Sequence, residues 1–127
     1  MYPHVDSKPP VSVTAPLVAE RRGIWKAGRV WIGWIEFDVL LGDIHSLKGK
    51  RAVIRPILAD LRRTTEASVA EVGDQDLHRR AMIGVGVVAA GADRVTEVLD
   101  RAERLVAGRP DITLLSARRR LRHSDDD

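Results

Sequence analysis

Two short polar segments of the chain gather the side chains that could do metal or acid–base chemistry. Residues 42–48 and 73–80 each follow a strand-like run. The candidate groups in these segments are Asp43, His45, Asp74, Asp76 and His78. Carboxylates and imidazoles bind divalent metals, and an imidazole also transfers protons near neutral pH. If the two segments meet in the fold, they could form a metal site or supply the acid and base of a small hydrolase.

The same residues have structural explanations that need no reaction. Asp43 or Ser46 could accept hydrogen bonds from the first turn of a following helix. Aspartates that follow a glycine, as in 73–76, are common in turns. The spacing of the acids and histidines matches no established metal signature. We therefore predict no metal and no cofactor here, and a role in recognition or local structure, with the enzyme as the alternative interpretation.

Basic residues recur at helical spacing directly after the first polar segment. The stripe comprises Lys48, Arg51, Arg55 and Arg62, with Lys50 and Arg63 alongside. A second cluster, at the end of the last strand-like run, comprises Arg118, Arg119, Arg120 and Arg122. Repeated cations of this kind bind phosphates, because counterion release supplies most nonspecific affinity for nucleic acids. The pattern predicts an RNA-binding surface, and the alternative is a solvated helix face beside a basic strand end.

Composition narrows the class of protein. The chain has 127 residues, a net charge of +3 and no cysteine. This length fits one domain, and the lack of cysteine excludes disulfides, thiolate metal sites and cysteine nucleophiles. The longest apolar run, 30–41, is interrupted by Glu36 and Asp38 and is shorter than the roughly 20 residues that a spanning helix needs. We therefore expect a cytoplasmic protein without a membrane partner.

Apolar periodicity predicts six elements that could position these groups, in the order β-α-β-β-α-β. The predicted strands are 30–41, 68–72, 81–90 and 112–121, and the predicted helices are 47–64 and 94–107. Asp93 is the expected N-cap of the second helix. Pro56 predicts a kink in the first helix, or a helix in two pieces, because proline removes a backbone hydrogen bond and clashes with the preceding turn.

Two β-α-β halves predict an α+β fold, a ferredoxin-like sandwich. In that fold a four-stranded antiparallel sheet of order 4-1-3-2 carries both helices on one face. The first and second strands then run the same way, so the two polar segments should emerge at the same end of the sheet. We predict a disordered extension over 1–29, the ferredoxin-like domain over 30–122 and an acidic tail over 123–127.

Alternation along the first strand separates two faces. One face carries Ile35, Phe37, Val39 and Leu41, and the other carries Ile32, Trp34, Glu36, Asp38 and Leu40. The first set should pack on the helices. The second set is mixed, and it suits an open face or one that is covered by a second copy, which predicts a homodimer. The third strand carries no aromatic side chain, so we do not expect the base-stacking surface of an RNA-recognition motif.

Several segments together resemble the YlxP-like family of bacterial proteins. They are Trp31-Ile-Gly-Trp-Ile-Glu-Phe37, His45-Ser-Leu-Lys48, Ala70-Glu-Val-Gly-Asp74 and Arg80-Ala-Met-Ile-Gly-Val85. The resemblance spans about 31–121 and implies the ferredoxin-like fold. Genes of this family often neighbour those of translation initiation factor two and ribosome-binding factor A, which implies a ribosomal or RNA context. The family supplies no catalytic residues to carry over.

The residues and the resemblance together predict a non-enzymatic accessory factor that binds RNA or a ribosomal subunit. The first alternative is a small hydrolase or metal-dependent enzyme built on the two polar loops. A third interpretation is a homo-oligomeric structural module.

Overall fold

The six predicted elements are present in the computed structural model, which describes residues 29–126. The strands are β1 (Trp31–Leu41), β2 (Ser68–Gly73), β3 (Arg80–Ala89) and β4 (Ile112–His123), and the helices are α1 (Leu47–Thr65) and α2 (Ala92–Ala107). In the described part of the chain, no helix is long and apolar enough to cross a membrane.

The four strands form one sheet of order β2-β3-β1-β4, in which every neighbouring pair is antiparallel. Both helices cover the same face, and the core lies between that face and the helices. The core includes Ile35, Phe37, Val39 and Leu41 of β1, Ala81, Ile83 and Val85 of β3, and the buried stripes of α1 and α2. The ferredoxin-like prediction is confirmed.

The side chains of β1 alternate between a buried face and a less buried face, as predicted. Ile35, Phe37, Val39 and Leu41 are buried, whereas the residues between them are only half-buried. Trp31 packs against the core and its ring lies 4.7 Å from that of His123. Trp34 points to the opposite side of the sheet, which we call the open face. Gly84 and Gly86 of β3 lie on this open face, opposite Glu36 and Trp34 in the register.

Helix α1 begins where the sequence indicated. Ser46 Oγ accepts a hydrogen bond from the Gly49 amide at 2.9 Å, which satisfies one free donor of the first turn. The helix is continuous from Leu47 to Thr65, so the two-piece alternative at Pro56 is wrong. Pro56 lies on the exposed side of α1, where water can solvate the carbonyl that has lost its amide partner.

Helix α2 begins two residues earlier than predicted. Its N-cap is Gly91, in an extended conformation and without a side-chain cap, so the assignment of this role to Asp93 is wrong. Asp93 lies in the first turn instead. A carboxylate there still faces the positive end of the helix dipole.

Strand β4 continues to His123, two residues beyond the prediction. The Ser124 amide donates to the Val30 carbonyl at 2.8 Å, and His123 pairs with Asp126 at 3.1 Å. The predicted acidic tail is therefore tied back to the start of β1 at Ser124 and to β4 at Asp126. Residues 1–28 and 127 lie outside the described residues, so the extension over 1–29 stays a prediction.

Candidate functional site

A basic surface lies on the outer side of α1. Lys48, Arg51 and Arg55 are exposed there and, with Ala52 and Pro56, line a depression of about 570 Å³. We call these three cations the α1 stripe. Helical spacing places them together, while Ile54 and Ile57 turn inwards to the core. Within residues 29–126, none of the three makes an ion pair.

Most other arginines of the described chain have a carboxylate partner. The paired arginines are Arg63, Arg80, Arg94, Arg101, Arg109, Arg118 and Arg119. A paired guanidinium must give up part of an existing interaction before it can bind another anion. The three cations of the α1 stripe have no such cost, and within residues 29–126 the same holds for Arg104, Arg120 and Arg122.

Lys50 was predicted to lie alongside this stripe, and that prediction is wrong. The residue is only 2% exposed. Its Nζ donates to the Asp74 carbonyl oxygen at 2.6 Å and lies 2.9 Å from Glu71 Oε2. The charge of Lys50 is therefore used inside the fold, where it joins α1 to the end of β2.

Arg62 also departs from the predicted role. It lies on an exposed side of α1, but its guanidinium donates to the Val69 carbonyl at 2.7 Å. This hydrogen bond connects the last turns of α1 to β2. Arg62 therefore continues the line of the α1 stripe along the helix. Unlike the three cations of the stripe, its guanidinium already has a hydrogen-bond partner inside the domain.

The predicted arginine cluster on β4 is split between two faces. Arg118 and Arg120 lie on the open face, opposite Glu36 and Trp34 in the register. Arg119 points to the helical side and contacts Asp100 at 2.8 Å and Glu103 at 3.0 Å. Burial lowers the pKa of the Arg119 guanidinium, but the bonds to these carboxylates outweigh it, and the net direction is upwards. The charge of Arg119 is therefore already paired within the fold, and its predicted contact with RNA stays a prediction.

The α1 stripe and the β4 arginines do not form one surface. The stripe faces away from the sheet, whereas Arg118 and Arg120 lie on the sheet face that the helices leave uncovered. The sandwich separates them. A ligand can therefore contact only one of these two basic surfaces, unless it is large enough to extend around the domain.

The two polar loops meet, as the topology predicted. The Leu41 amide donates to the Arg79 carbonyl at 2.8 Å, and Arg79 Nε donates to the Gly42 carbonyl at 2.8 Å. A shallow depression of about 480 Å³ lies between the loops, and its lining includes His45, Asp76 and His78. Asp43 and Asp74 do not line it, so only three of the five candidate groups share this surface.

The side-chain contacts of these groups are local, and none of the five caps a helix, since the N-cap of α1 is Ser46 and not Asp43. His45 Nε2 lies 2.9 Å from Asp43 Oδ1, with both side chains more than four-fifths exposed. Asp74 has a left-handed backbone, φ 60°, and its carbonyl accepts from Leu77 and from Lys50. Among residues 29–126, no three histidine or acidic side chains converge closely enough to hold a metal ion.

Arg80 is the last residue of the second polar loop, and its charge is paired within the fold. Its guanidinium forms two hydrogen bonds to the Asp38 carboxylate, at 3.2 and 2.7 Å. These bonds raise the pKa of Arg80 above its ordinary value. The pair fixes the start of β3 to β1 and leaves Arg80 poorly placed to stabilise an anionic reaction centre.

The comparison with known proteins now identifies the family. The family described as protein of unknown function (DUF503) matches residues 32–119. The chain belongs to the DUF503 family. The uncharacterized protein YlxP of Bacillus subtilis (strain 168) is 31% identical over 81 residues, which cover 64% of this chain and 88% of YlxP. The predicted resemblance to YlxP-like proteins is confirmed, and neither description names an activity.

The matched region indicates which candidates belong to the DUF503 domain itself. Residues 32–119 contain both polar loops and the whole α1 stripe. Arg120 and Arg122 lie just beyond the match. Sequence reasoning missed two features inside it, the Lys50–Glu71 pair and the position of Trp34 beside the β4 arginines. For the second, alternation in β1 and β4 could have indicated a shared face, but the register that places Arg120 opposite Trp34 could not be predicted from it.

Proposed function

We propose that this DUF503 protein is a non-enzymatic cytoplasmic accessory factor that binds RNA or an RNA-containing assembly through the α1 stripe. The observation that carries the proposal is the exposure of Lys48, Arg51 and Arg55 on one helix face without internal ion pairs. This contrasts with the paired arginines elsewhere in the described chain. Cations that are solvated and adjacent can each replace a condensed counterion on a phosphate backbone.

The shape of the surface supports phosphate contact over base recognition. Ala52 and Pro56 are small and line the depression together with the cations, which leaves room for a backbone to approach the helix closely. The stripe offers no aromatic side chain on which a base could stack. Double-stranded RNA is recognised mainly by shape and by contacts to phosphates and ribose hydroxyls, which fits this surface. The expected ribosomal context would supply such duplex RNA.

The first test measures binding to an RNA duplex of about 16 base pairs, the span of a compact duplex-binding domain. Changing Lys48, Arg51 and Arg55 together to alanine should weaken binding. If each cation neutralises one phosphate, the slope of log affinity against log salt should flatten by about 2 to 3 units, since each phosphate contributes roughly 0.9 in a duplex. Fluorescence anisotropy at several salt concentrations gives both quantities.

A matched control separates the stripe from net charge. Arg94, Arg101 and Arg104 lie on α2, and replacing all three with alanine removes the same formal charge from another surface. We expect this control to retain most of the affinity and of the salt slope. Equal losses in the two triple variants would contradict the proposal, because binding would then follow overall charge.

The enzyme alternative has less support. His45 and His78 do share a depression, but no nucleophile, base and charge stabiliser are held together there by rigid partners, as catalysis would need. The structural explanation of these loops, as turns and a helix cap, accounts for their contacts.

For the loops, we expect protein purified without chelator to contain no stoichiometric zinc, manganese or iron, because the candidate ligands do not converge in the described chain. Elemental analysis gives the metal content. The His45→Ala, His78→Ala double variant should lose a little stability at this end of the sheet and nothing else. Stoichiometric metal that disappears in the double variant would instead favour the enzyme.

A further inference from the structure

The open face of the sheet carries an aromatic ring among arginines. Trp34 is half-buried in the first half of β1, with Arg120 opposite it on β4 and Gly86 opposite it on β3. Trp34, Glu36, Arg118 and Arg120 line a depression of about 310 Å³ together with Arg119. That volume is at the lower end of the range for small-ligand pockets, about 300 to 1,000 Å³, and suits a group the size of one nucleotide.

Access to the ring is open on the β3 side. A side-chain carbon built at Gly86 would meet no atom nearer than 4.0 Å, and Gly86 pairs with Ser68 on the next strand. On the β3 side of Trp34, the residues that lie opposite it across the strands are therefore the small residues Gly86 and Ser68. The space above Gly86, beside Trp34, is therefore open to a flat group.

The cations along β4 are arranged to follow a phosphate backbone. Arg118, Arg120 and Arg122 alternate on the open face, so neighbouring members stand about 7 Å apart along the strand. Arg118 is held by Glu36 at 3.2 Å. Arg120 bonds only to the adjacent Arg119 carbonyl, at 3.4 Å, and within residues 29–126 neither Arg120 nor Arg122 makes an ion pair.

We propose that the open face is a binding site for single-stranded RNA, in which one base stacks on Trp34 and adjacent phosphates bind Arg120 and Arg122. Stacking on an aromatic side chain beside a basic groove is how proteins bind single strands with little sequence preference. This site is separate from the α1 stripe and does not depend on it.

Charge favours RNA over a second copy of the chain as the occupant. The sheet residues of the open face include Arg80, Arg118, Arg120 and Arg122 against the carboxylates of Glu36 and Asp38. Two such faces would repel each other, because both carry an excess of positive charge. A polyanion is complementary to the same face.

The test uses the full chain and a single-stranded oligoadenylate of about ten nucleotides, within the range of compact single-strand sites. Trp34→Leu keeps an apolar side chain but removes the stacking surface, so it should weaken binding about tenfold or more with an unchanged salt slope. Trp34→Phe should retain most of the affinity. Arg120→Ala should flatten the slope by about 0.7, the contribution of one phosphate in a single strand.

Ile32→Ala is the matched control, since Ile32 lies on the same face of β1 and is 43% exposed. It should bind like the parent protein. Equal affinity of the parent and Trp34→Leu would overturn the proposal. So would sedimentation showing a dimer that Trp34→Leu dissociates without any change in RNA affinity, because the occupant would then be a second copy.

The oligoadenylate test of the open face gives a result that does not depend on the duplex-binding test of the α1 stripe. Loss of oligoadenylate binding in Trp34→Leu with normal duplex binding supports this site whatever the α1 stripe does. Loss of duplex binding in the α1 triple variant, with no effect of Trp34→Leu on the oligoadenylate, overturns this site and leaves the proposed function standing.

Discussion

Replacing Lys50 with methionine should destabilise the domain by about 3 kcal/mol, although lysine is among the residues most often found on protein surfaces. The Lys50 and Glu71 side chains are 3% and 24% exposed, and their charged atoms are 2.9 Å apart. Methionine leaves the Glu71 carboxylate without its counterion and takes one donor from the Asp74 carbonyl. Removing one member of a buried pair costs roughly 3 to 5 kcal/mol, and the partial exposure of Glu71 places this case at the lower end.

Urea denaturation of the parent and the variant measures this loss. Lys48→Met is the control, because Lys48 is on the same helix but exposed, and it should change stability by no more than about 0.5 kcal/mol. The double variant Lys50→Met, Glu71→Leu should recover much of the loss, since both charges are then gone. A Lys50→Met protein as stable as Lys48→Met would show that the pair is not a structural tie.

Lys50 also shows which features of the fold could be predicted from the sequence and which could not. It lies four residues before Ile54, so the periodicity that placed Ile54 and Ile57 in the core assigns Lys50 to the same buried stripe. Its positive charge outweighed that periodicity in the prediction. Its partners could not be predicted, because Glu71 and Asp74 become neighbours only when β2 packs beside α1.

The β4 arginines show the same limit in a strand, where side chains alternate between the two faces with a period of two. Alternation alone separates Arg119 from Arg118 and Arg120, yet a run of three arginines was interpreted as one cluster. The acids that neutralise Arg119 lie on α2 and depend on how that helix packs. Topology, in contrast, correctly predicted the meeting of the two polar loops, because element order determines which loops share an end of the sheet.

The open face was only half predictable. Alternation in β1 placed Trp34 there, but the neighbours of Trp34 depend on the registers with β3 and β4, which short-range patterns do not determine. The third strand carries no aromatic side chain, which predicted no base-stacking surface, but the first strand is also central in the sheet and carries Trp34 on the open face.

Gly33→Ala should also be strongly destabilising, by about 1 to 3 kcal/mol, the usual cost of overpacking a core. A side-chain carbon at Gly33 would lie 2.3 Å from Val95 Cγ1 and 3.2 Å from Leu99 Cδ1. Val95 is fully buried, and its branched side chain has few rotamers to escape into. Helix α2 would therefore have to move away from β1, which disturbs the packing along the whole contact.

Gly86→Ala provides the comparison within the same sheet. Its new carbon would meet no atom closer than 4.0 Å, and alanine restricts the unfolded chain more than glycine does. We therefore expect Gly86→Ala to range from neutral to about 0.5 kcal/mol more stable. Thermal and urea melts of both variants give the contrast, and two variants of equal stability would contradict the close packing of α2 on Gly33. A double-mutant cycle identifies the cause: Gly33→Ala combined with Val95→Ala should cost at least about 1 kcal/mol less than the sum of the single changes, because the smaller residue at 95 makes room for the added carbon.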